Sequence, residues 1–456
     1  MTSSQFSQAF IDSDRPHILT ITNHGIHEWE VSPGLTDTGG QNIFVNQFSD
    51  ALVRQGYKIT IINRGGYRHP TTGVMRTGFH YKNPYQRIYY LEDKIDHFIR
   101  KEDMGDYLPG LEDALRDFLS QDGLPIDLLL THYWDAGILG LSIQDLLPEG
   151  TPHIWTPHSL GAIKAKMFPA EQQIELRMDE RLQAETYILD HVDGAGATSG
   201  TIRDSFRDDY DFTGKVYWLP PCVDMDRYHP QVIHDNDPIW GLLQEELRLP
   251  LEDLKNKKII TEISRTDHTK RKDILIRAFA KAHQEEPDSL LVVSINQEQK
   301  ELAVELLNLI KDLGIQESTA VVGSIWEELP ALYNITDIYC TPSIMEGFGM
   351  SAQEAAATGV PVIASDKVVF VTEYLLGEQP LEVDLPDGHP YSQGEGALVV
   401  PADDVDGFAA AMVSLLQDDP LREQMGKAAH DITVPYFSYD NIVSEFIAEL
   451  SEAERG

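Results

Sequence analysis

The sequence predicts an α/β fold of two doubly wound domains in tandem. Three observations carry this expectation. Short apolar runs that end in polar residues alternate with stretches of helical spacing. The alternation stops at a proline-containing linker and then starts again. A chain of 456 residues with 42% apolar composition suits two or three domains, each able to bury a core.

The elements follow in order. "HILTITN" (17–23) reads as a buried strand, and "FVNQFSDALVRQGY" as a helix that stops at Gly56. "KITIIN" (58–63), "DLLLTH" (127–132) and "HIWTPH" (153–158) are further buried strands, each ending in a polar residue before a loop. "WLPPCVDMDRYHP" (218–230) suits a linker. Beyond it, "KKIITEIS" (257–264), "SLLVVSIN", "TAVVGS", "DIYCTPS" and "VPVIAS" read as strands. "ILIRAFAKAHQ" and "ELAVELLNLIKDLG" read as helices between them, and "YDNIVSEFIAELSEAERG" as a last amphipathic helix. The expected doubly wound domains are 1–220 and 221–435. A terminal helix, 436–456, is expected to pack back toward the first domain. Ligands of such sheets sit beyond the carboxyl ends of the strands, so an interdomain cleft is the expected binding place.

Composition narrows the function. With 36 basic and 74 acidic residues the net charge is −38, which disfavours nucleic-acid and membrane-surface partners. The acidic excess fits a highly soluble enzyme or a host with a salty cytoplasm. Two cysteines, Cys222 and Cys340, argue against a disulfide framework and a thiolate zinc site. The start has neither a basic region nor an apolar core, and no apolar run could span a bilayer, so a reducing cytoplasm is expected.

Three stretches carry candidate chemistry. Gly39 and Gly40 precede a helix, where bare backbone N–H groups can approach a phosphate; turn formation alone also explains them. In "SRTDHTKRKDILIRAF" (264–279), Arg265, Lys270, Arg271 and Lys272 form the densest basic cluster of an acidic chain. It reads either as a solvated loop or as a clamp for a diphosphate, with Arg265 supplying a fork and Lys270 a point charge. In "SIMEGFGMSAQEAAATG" (343–359), Glu346 lies on a glycine-rich loop and Glu354 follows in a helix. Ser351-x-x-Glu354 fits a capping box. Alternatively, Glu346 accepts sugar hydroxyls, Glu354 accepts both ribose hydroxyls, and N–H groups near Gly349 and Met350 face the phosphates between. Asp224-Met225-Asp226 formally reads D-x-D, but it lies in the linker, and no metal site is expected there.

"PSIMEGFGMSAQEAAATGVPVIAS" resembles the E-x7-E segment of retaining glycosyltransferases of family 4, which have the GT-B fold of two Rossmann-like domains. The basic loop is similar to their clamp, with Arg265 and Lys270 five apart, and "PPCVDMDRYHP" to their linker. "NHGI" (23–26), "DTGGQ" (37–41), "PHSLG" (157–161) and "RLQAETYILDHVDGAGATS" (181–199) resemble the sucrose-phosphate synthase and sucrose synthase branch. The resemblance implies catalytic roles for His158, Arg265, Lys270 and Glu346. It implies a donor site of Gly39, Gly40, Gly347, Phe348, Gly349, Met350 and Glu354. The acceptor site it implies takes Gln41, Lys164, Lys166, Arg177 and Arg181. Lys164 and Lys166 follow "HSLG"; Arg177 and Arg181, four apart on an expected helix, share a face or form surface ion pairs with Glu175, Glu180 or Glu185. His158 can equally be a satisfied strand-end histidine.

The implied activity is transfer of a hexosyl group, with retention, from a UDP-glucose- or GDP-mannose-type donor to fructose 6-phosphate. A nucleotide sugar is then the co-substrate, and no metal or other cofactor is required. "HEWEVSPGLTDTGGQ" departs from the branch's usual loop, and Glu28, Trp29 and Glu30 can reshape the acceptor pocket. A competing expectation is another phosphorylated compatible solute, such as mannosylglucosyl-3-phosphoglycerate. Readings of other classes are a nucleotide-sugar 2-epimerase and a non-catalytic nucleotide-sugar sensor.

Overall fold

The computed structural model describes residues 3–30, 39–69, 72–296, 300–323, 325–384 and 388–453. Asp37 and Thr38 of the "DTGGQ" motif, the loop 31–36 before them, Ser324 and the tail 454–456 lie outside the described residues. The chain forms two compact units: Met1–Pro221 with Tyr439–Gly456, and Cys222–Ser438.

The described strands of the first unit are β1 (His17–Ile21), β2 (Lys58–Arg64), β3 (Gly78–Asn83), β4 (Gln86–Leu91), β5 (Leu128–His132), β6 (His153–Thr156), β7 (Gly194–Ala197) and β8 (Lys215–Trp218). They form one sheet in the order β3-β4-β2-β1-β5-β6-β7-β8. Neighbours run parallel except β3 and β4, an antiparallel pair at one edge. Every residue of β1, β2 and β5 is buried, which is why these strands read as unbroken apolar runs. β7 is Gly-Ala-Gly-Ala, a sequence of low strand propensity. Packing explains it: a Cβ on Gly194 would stand 2.6 Å from the Tyr217 ring, and one on Gly196 2.5 Å from Thr156 Oγ1. The helix Tyr439–Ala453 belongs to this unit, with Phe446 5.1 Å from the Tyr217 ring and Glu449 2.6 Å from Lys215 Nζ.

The second unit contains β9 (Lys258–Glu262), β10 (Ser289–Ser294), β11 (Thr319–Val322), β12 (Ile338–Thr341), β13 (Val362–Ser365), β14 (Leu381–Val383), β15 (Tyr391–Gln393) and β16 (Ala397–Val400). Their order is β11-β10-β9-β12-β13-β16-β15-β14, parallel except for the β14–β15–β16 edge. Phe279, Leu291, Val293, Phe408 and Met412 are among the fully buried side chains between this sheet and its helices.

Winding reverses once in each sheet. β1 stands between β2 and β5, and β9 stands between β10 and β12. Loops leaving neighbouring strands part at such a point and open a crevice at the carboxyl ends. No helix among the described residues is long and apolar enough to cross a membrane.

Candidate functional site

In the second unit the crevice lies between the loops after β9 and β12. A 3-10 turn, His268–Lys270, follows β9; Asp267 caps it by accepting Thr269 N–H at 2.9 Å. The loop after β12 is tied to this turn: Ile344 N–H and Ser343 Oγ donate to Thr269 O at 2.8 and 3.2 Å. The result is an ion pair, Lys270 Nζ to Glu346 Oε1 at 2.5 Å, with Lys270 7% exposed. The two residues that sequence reasoning assigned to diphosphate and sugar thus stand side by side, each holding the other's head.

Gly349 then opens the helix Met350–Ala357 at φ +110°, where a Cβ would meet Val368 Cγ1 at 2.7 Å. Left-handed backbone and close packing both demand glycine here. The first-turn N–H groups have no intrahelical acceptor and favour an anion. Gly347 is exposed and Met350 half-buried, whereas the Phe348 ring is buried against Phe370 and Phe437 at 5.5 and 5.9 Å. Phe348 therefore offers a ligand its backbone and not its side chain.

The basic loop is less of a cluster than its sequence suggests. Arg271 is engaged by Asp273 at 3.0 Å and by Asp403. Lys272 is buried, bonding Glu262 at 2.6 Å and Ser294 O at 2.7 Å, and so ties β9 to β10. Arg265 is 74% exposed, 3.7 Å from Asp267. Lys270 is the one of the four that is buried and aimed at Glu346.

Glu354 is not a capping residue: the helix N-cap is Gly349, and Glu354 lies more than one turn in. Its Oε2 accepts from the Tyr333 hydroxyl at 3.4 Å. Burial pushes the Glu354 carboxyl from 4.5 up to about 8, against the opposing pull of Arg227 and the Tyr333 hydroxyl. The fold therefore favours the protonated form. That contribution to stability is complete below about pH 4.5 and is lost as pH rises through about 8. Glu354→Gln mimics the protonated carboxyl and is expected to abolish this dependence. Denaturant titrations at pH 5 and 9 should show the wild type losing ground to the variant by at most about 5 kcal/mol. Parallel behaviour at the two pH values would refute the assignment.

In the first unit, Gly39 is the N-cap of the helix Gly40–Arg54, with φ 175°, and its N–H donates to Asn42 Oδ1 at 3.1 Å. Among the described residues no atom lies within 4 Å of where a Gly39 Cβ would stand. The backbone there is extended and does not itself require glycine. Gln41 Nε2 donates to Thr22 Oγ1, just past β1, at 2.9 Å. His158 follows β6 at φ +55°, and its Nε2 lies 3.0 Å from Nδ1 of His132, the last residue of β5. Burial lowers the His158 imidazole to about 3, so it is neutral at pH 7.

The four expected acceptor cations divide. Lys166 points to Asp209 at 2.7 Å and is 65% exposed. Arg177 is not inside a helix with Arg181: it is the left-handed N-cap of Met178–Leu189 and pairs with Asp106 at 2.7 Å and Glu180 at 2.8 Å. Arg181 is buried; its Nε donates to Glu185 at 2.8 Å and its Nη1 to Tyr133 Oη at 2.7 Å. The sequence argument for a shared cationic face therefore fails, because the chain turns at Arg177. Lys164 is half-buried without an ion pair among the described residues, and burial, then Arg181 and Lys101, lower its ammonium to about 7.

Sequence reasoning missed several neighbours of these groups. Lys101 lies near Lys164. His24 Nδ1 is 3.1 Å from buried Asp135 Oδ1, and the other carboxylate oxygen has no partner among the described residues. "THYWDAG" (131–137), running out of the buried strand β5 beside the switch point, was the signal for His132, Tyr133 and Asp135. Arg227, 4.2 Å over the Trp326 ring, is the cation nearest in influence to Glu354. Asp224 Oδ1 accepts the N–H of Asp226 and Arg227 at 3.1 and 3.2 Å, a turn-forming role. Among the described residues no group of three His, Cys, Asp or Glu is placed to hold a metal.

Comparison with known proteins follows the same division. Residues 38–227 match the model for Glycosyltransferase Family 4, and residues 244–431 that for Glycosyl transferases group 1. The chain is similar to mannosylfructose-phosphate synthase of Agrobacterium fabrum, 28% identical over 77% of this chain and 76% of that protein. It is 27% identical to D-inositol 3-phosphate glycosyltransferase of Corynebacterium jeikeium, over 87% of this chain and 88% of the relative. Its fold matches sucrose-phosphate synthase from Thermosynechococcus elongatus with a TM-score of 0.75 and 23% identity, covering 97% of this chain and 100% of the other. Matched through both halves in chain order and sharing that two-sheet architecture, the chain belongs to the family 4 glycosyltransferases of the GT-B fold.

Proposed function

We propose that this glycosyltransferase moves a hexosyl group, with retention, from a nucleotide-diphosphate sugar of the UDP-glucose or GDP-mannose type to a phosphorylated sugar, with fructose 6-phosphate the leading acceptor. The observation that carries the reading is the buried Lys270 ammonium held against Glu346 beside the N-terminus of Met350–Ala357. Glu346 takes hydroxyls of the sugar, and Glu354, as a neutral carboxyl, takes the ribose. Lys270, Arg265 and the helix N–H groups take the diphosphate. As the bond from the anomeric carbon to the phosphate oxygen breaks, these groups stabilise the growing negative charge. The departing oxygen accepts the acceptor's hydroxyl proton, and the new bond forms on the face it leaves. The charge is met without a metal in this scheme.

On the acceptor side Lys164 is the group to hold a phosphate, with Arg181 and Lys101 adding positive potential. The two relatives and the structural neighbour are all named for phosphorylated compounds. A phosphorylated compatible solute other than sucrose phosphate is the second reading, favoured by the charge of −38. We place the activity in a reducing cytoplasm, in keeping with the buried thiols of Cys222 and Cys340.

Nucleotide release from UDP-glucose and GDP-mannose, with fructose 6-phosphate, fructose and inositol phosphates as acceptors, tests the proposal. Release should depend on a phosphorylated acceptor. No release from any pair, a sugar product formed without acceptor, or equal use of free fructose would overturn it. Lys164→Met is expected to raise the acceptor KM by roughly tenfold or more, the worth of one charge-assisted contact, while the donor KM holds.

A further inference from the structure

We propose that His132 is a positioning residue for His158, holding its ring in one orientation and one tautomer through the contact between their ring nitrogens. The proposal rests on the reading above, in which His158 meets the transferred sugar. His132 is 2% exposed at the carboxyl end of β5, and His158 follows the neighbouring strand β6. The Nδ1 of the first lies 3.0 Å from Nε2 of the second. Such a contact needs one proton between two nitrogens, so one ring donates and the other accepts. Both rings are neutral at pH 7, burial being the main cause in each. Whichever part the Nε2 of His158 takes in this bond, its Nδ1 takes the opposite one, so the pair holds the two rings in matched tautomers.

The ring is steadied further by Phe44, whose edge-on ring lies 5.0 Å from His158 and 6.0 Å from His132. The His158 backbone sits at φ +55°, an uncommon position for a non-glycine residue that the surroundings must enforce. A side chain with its backbone strained, its face packed and one nitrogen bonded has a single nitrogen left for a ligand. His132 supplies the last of those restraints without lying at the end of the His158 strand itself.

His132→Phe keeps the ring volume and removes the bond. It is expected to lower kcat about 10- to 100-fold with little change in the donor KM, because the contact matters most in the transition state. His132→Asn places an amide near the position of Nδ1 and is expected to restore kcat to within about threefold of wild type. Nitrogen-15 shifts of labelled protein should show His158 as one tautomer in the wild type and in His132→Asn, and as a mixture in His132→Phe. An unchanged His158 signal in His132→Phe overturns the proposal. So does a loss of kcat that follows the melting temperature and is not recovered by asparagine. If the wild type transfers nothing from any donor, the functional reading fails, while the nitrogen-15 spectrum still reports whether His132 holds His158.

Discussion

Lys270→Ala is expected to lower kcat for glycosyl transfer by roughly two to three orders of magnitude, the usual cost of removing one preorganised group that meets developing charge. Three features make the effect large. The ammonium is 7% exposed, so little water can replace it. Its neighbours Arg271 and Lys272 are committed to Asp273, Asp403 and Glu262 and cannot swing in. Arg265, the remaining cation of the loop, is 74% exposed and screened by solvent. Removing Lys270 also leaves the Glu346 carboxylate without its partner beside the site of a dianionic leaving group, which adds repulsion to lost attraction. Lys270→Arg is expected to rescue poorly, because a buried slot closed by a 3-10 turn fits a point charge better than a planar fork. Single-turnover kinetics with saturating nucleotide sugar measure the loss, and far-ultraviolet circular dichroism checks that the fold persists. Transfer at the wild-type rate would remove Lys270 from the chemistry.

The expectation for Lys270 was legible in the sequence because its causes are local. An unbroken buried strand, a capped turn and a helix follow one another from Lys258 to Glu285, and the strand pattern places the turn at the carboxyl end of a parallel sheet. The same holds for Glu346 after β12. What was not legible depends on partners far along the chain. Lys272 reads as a second clamp residue until Glu262 and Ser294 are seen to surround it. Ser351-x-x-Glu354 has the spacing of a capping box, but the preceding left-handed Gly349 starts the helix two residues earlier. β7 hides because packing against Tyr217 and Thr156 excludes side chains that would mark a strand. Arg177 and Arg181 have helical spacing, yet Arg177 has φ +49° and ends the periodicity between them. In each case the local rule is sound and a tertiary contact decides against it.

Glu185→Ala is expected to destabilise the first unit by about 3–5 kcal/mol, since it strands a buried charge. Glu185 is fully buried and accepts from Arg181 Nε at 2.8 Å, from Gly161 N–H at 2.8 Å and from the Tyr210 hydroxyl. Removing it leaves the guanidinium, an amide and a phenol without that acceptor. Arg181→Met alone should cost a similar amount by stranding the carboxylate, but Arg181→Met with Glu185→Leu should recover part of the loss, because an apolar pair bears no desolvation cost. Calorimetric scans of the three variants measure this; a single-variant cost under about 1 kcal/mol would show that the pair is not what holds Met178–Leu189 to Tyr133, Gly161 and Tyr210. The same variants decide what Arg181 does for the acceptor. Glu185 raises the Lys164 pKa and Arg181 lowers it. Loss of Glu185 therefore leaves less charged Lys164 at pH 7 and weakens binding of a phosphorylated acceptor, whereas loss of Arg181 leaves more. If Arg181 acts as an internal strut, the double variant keeps the acceptor KM within a few-fold of wild type. If it grips the acceptor phosphate itself, as the family resemblance implies, the acceptor KM rises with Arg181→Met however stable the double variant becomes, and the strut assignment falls.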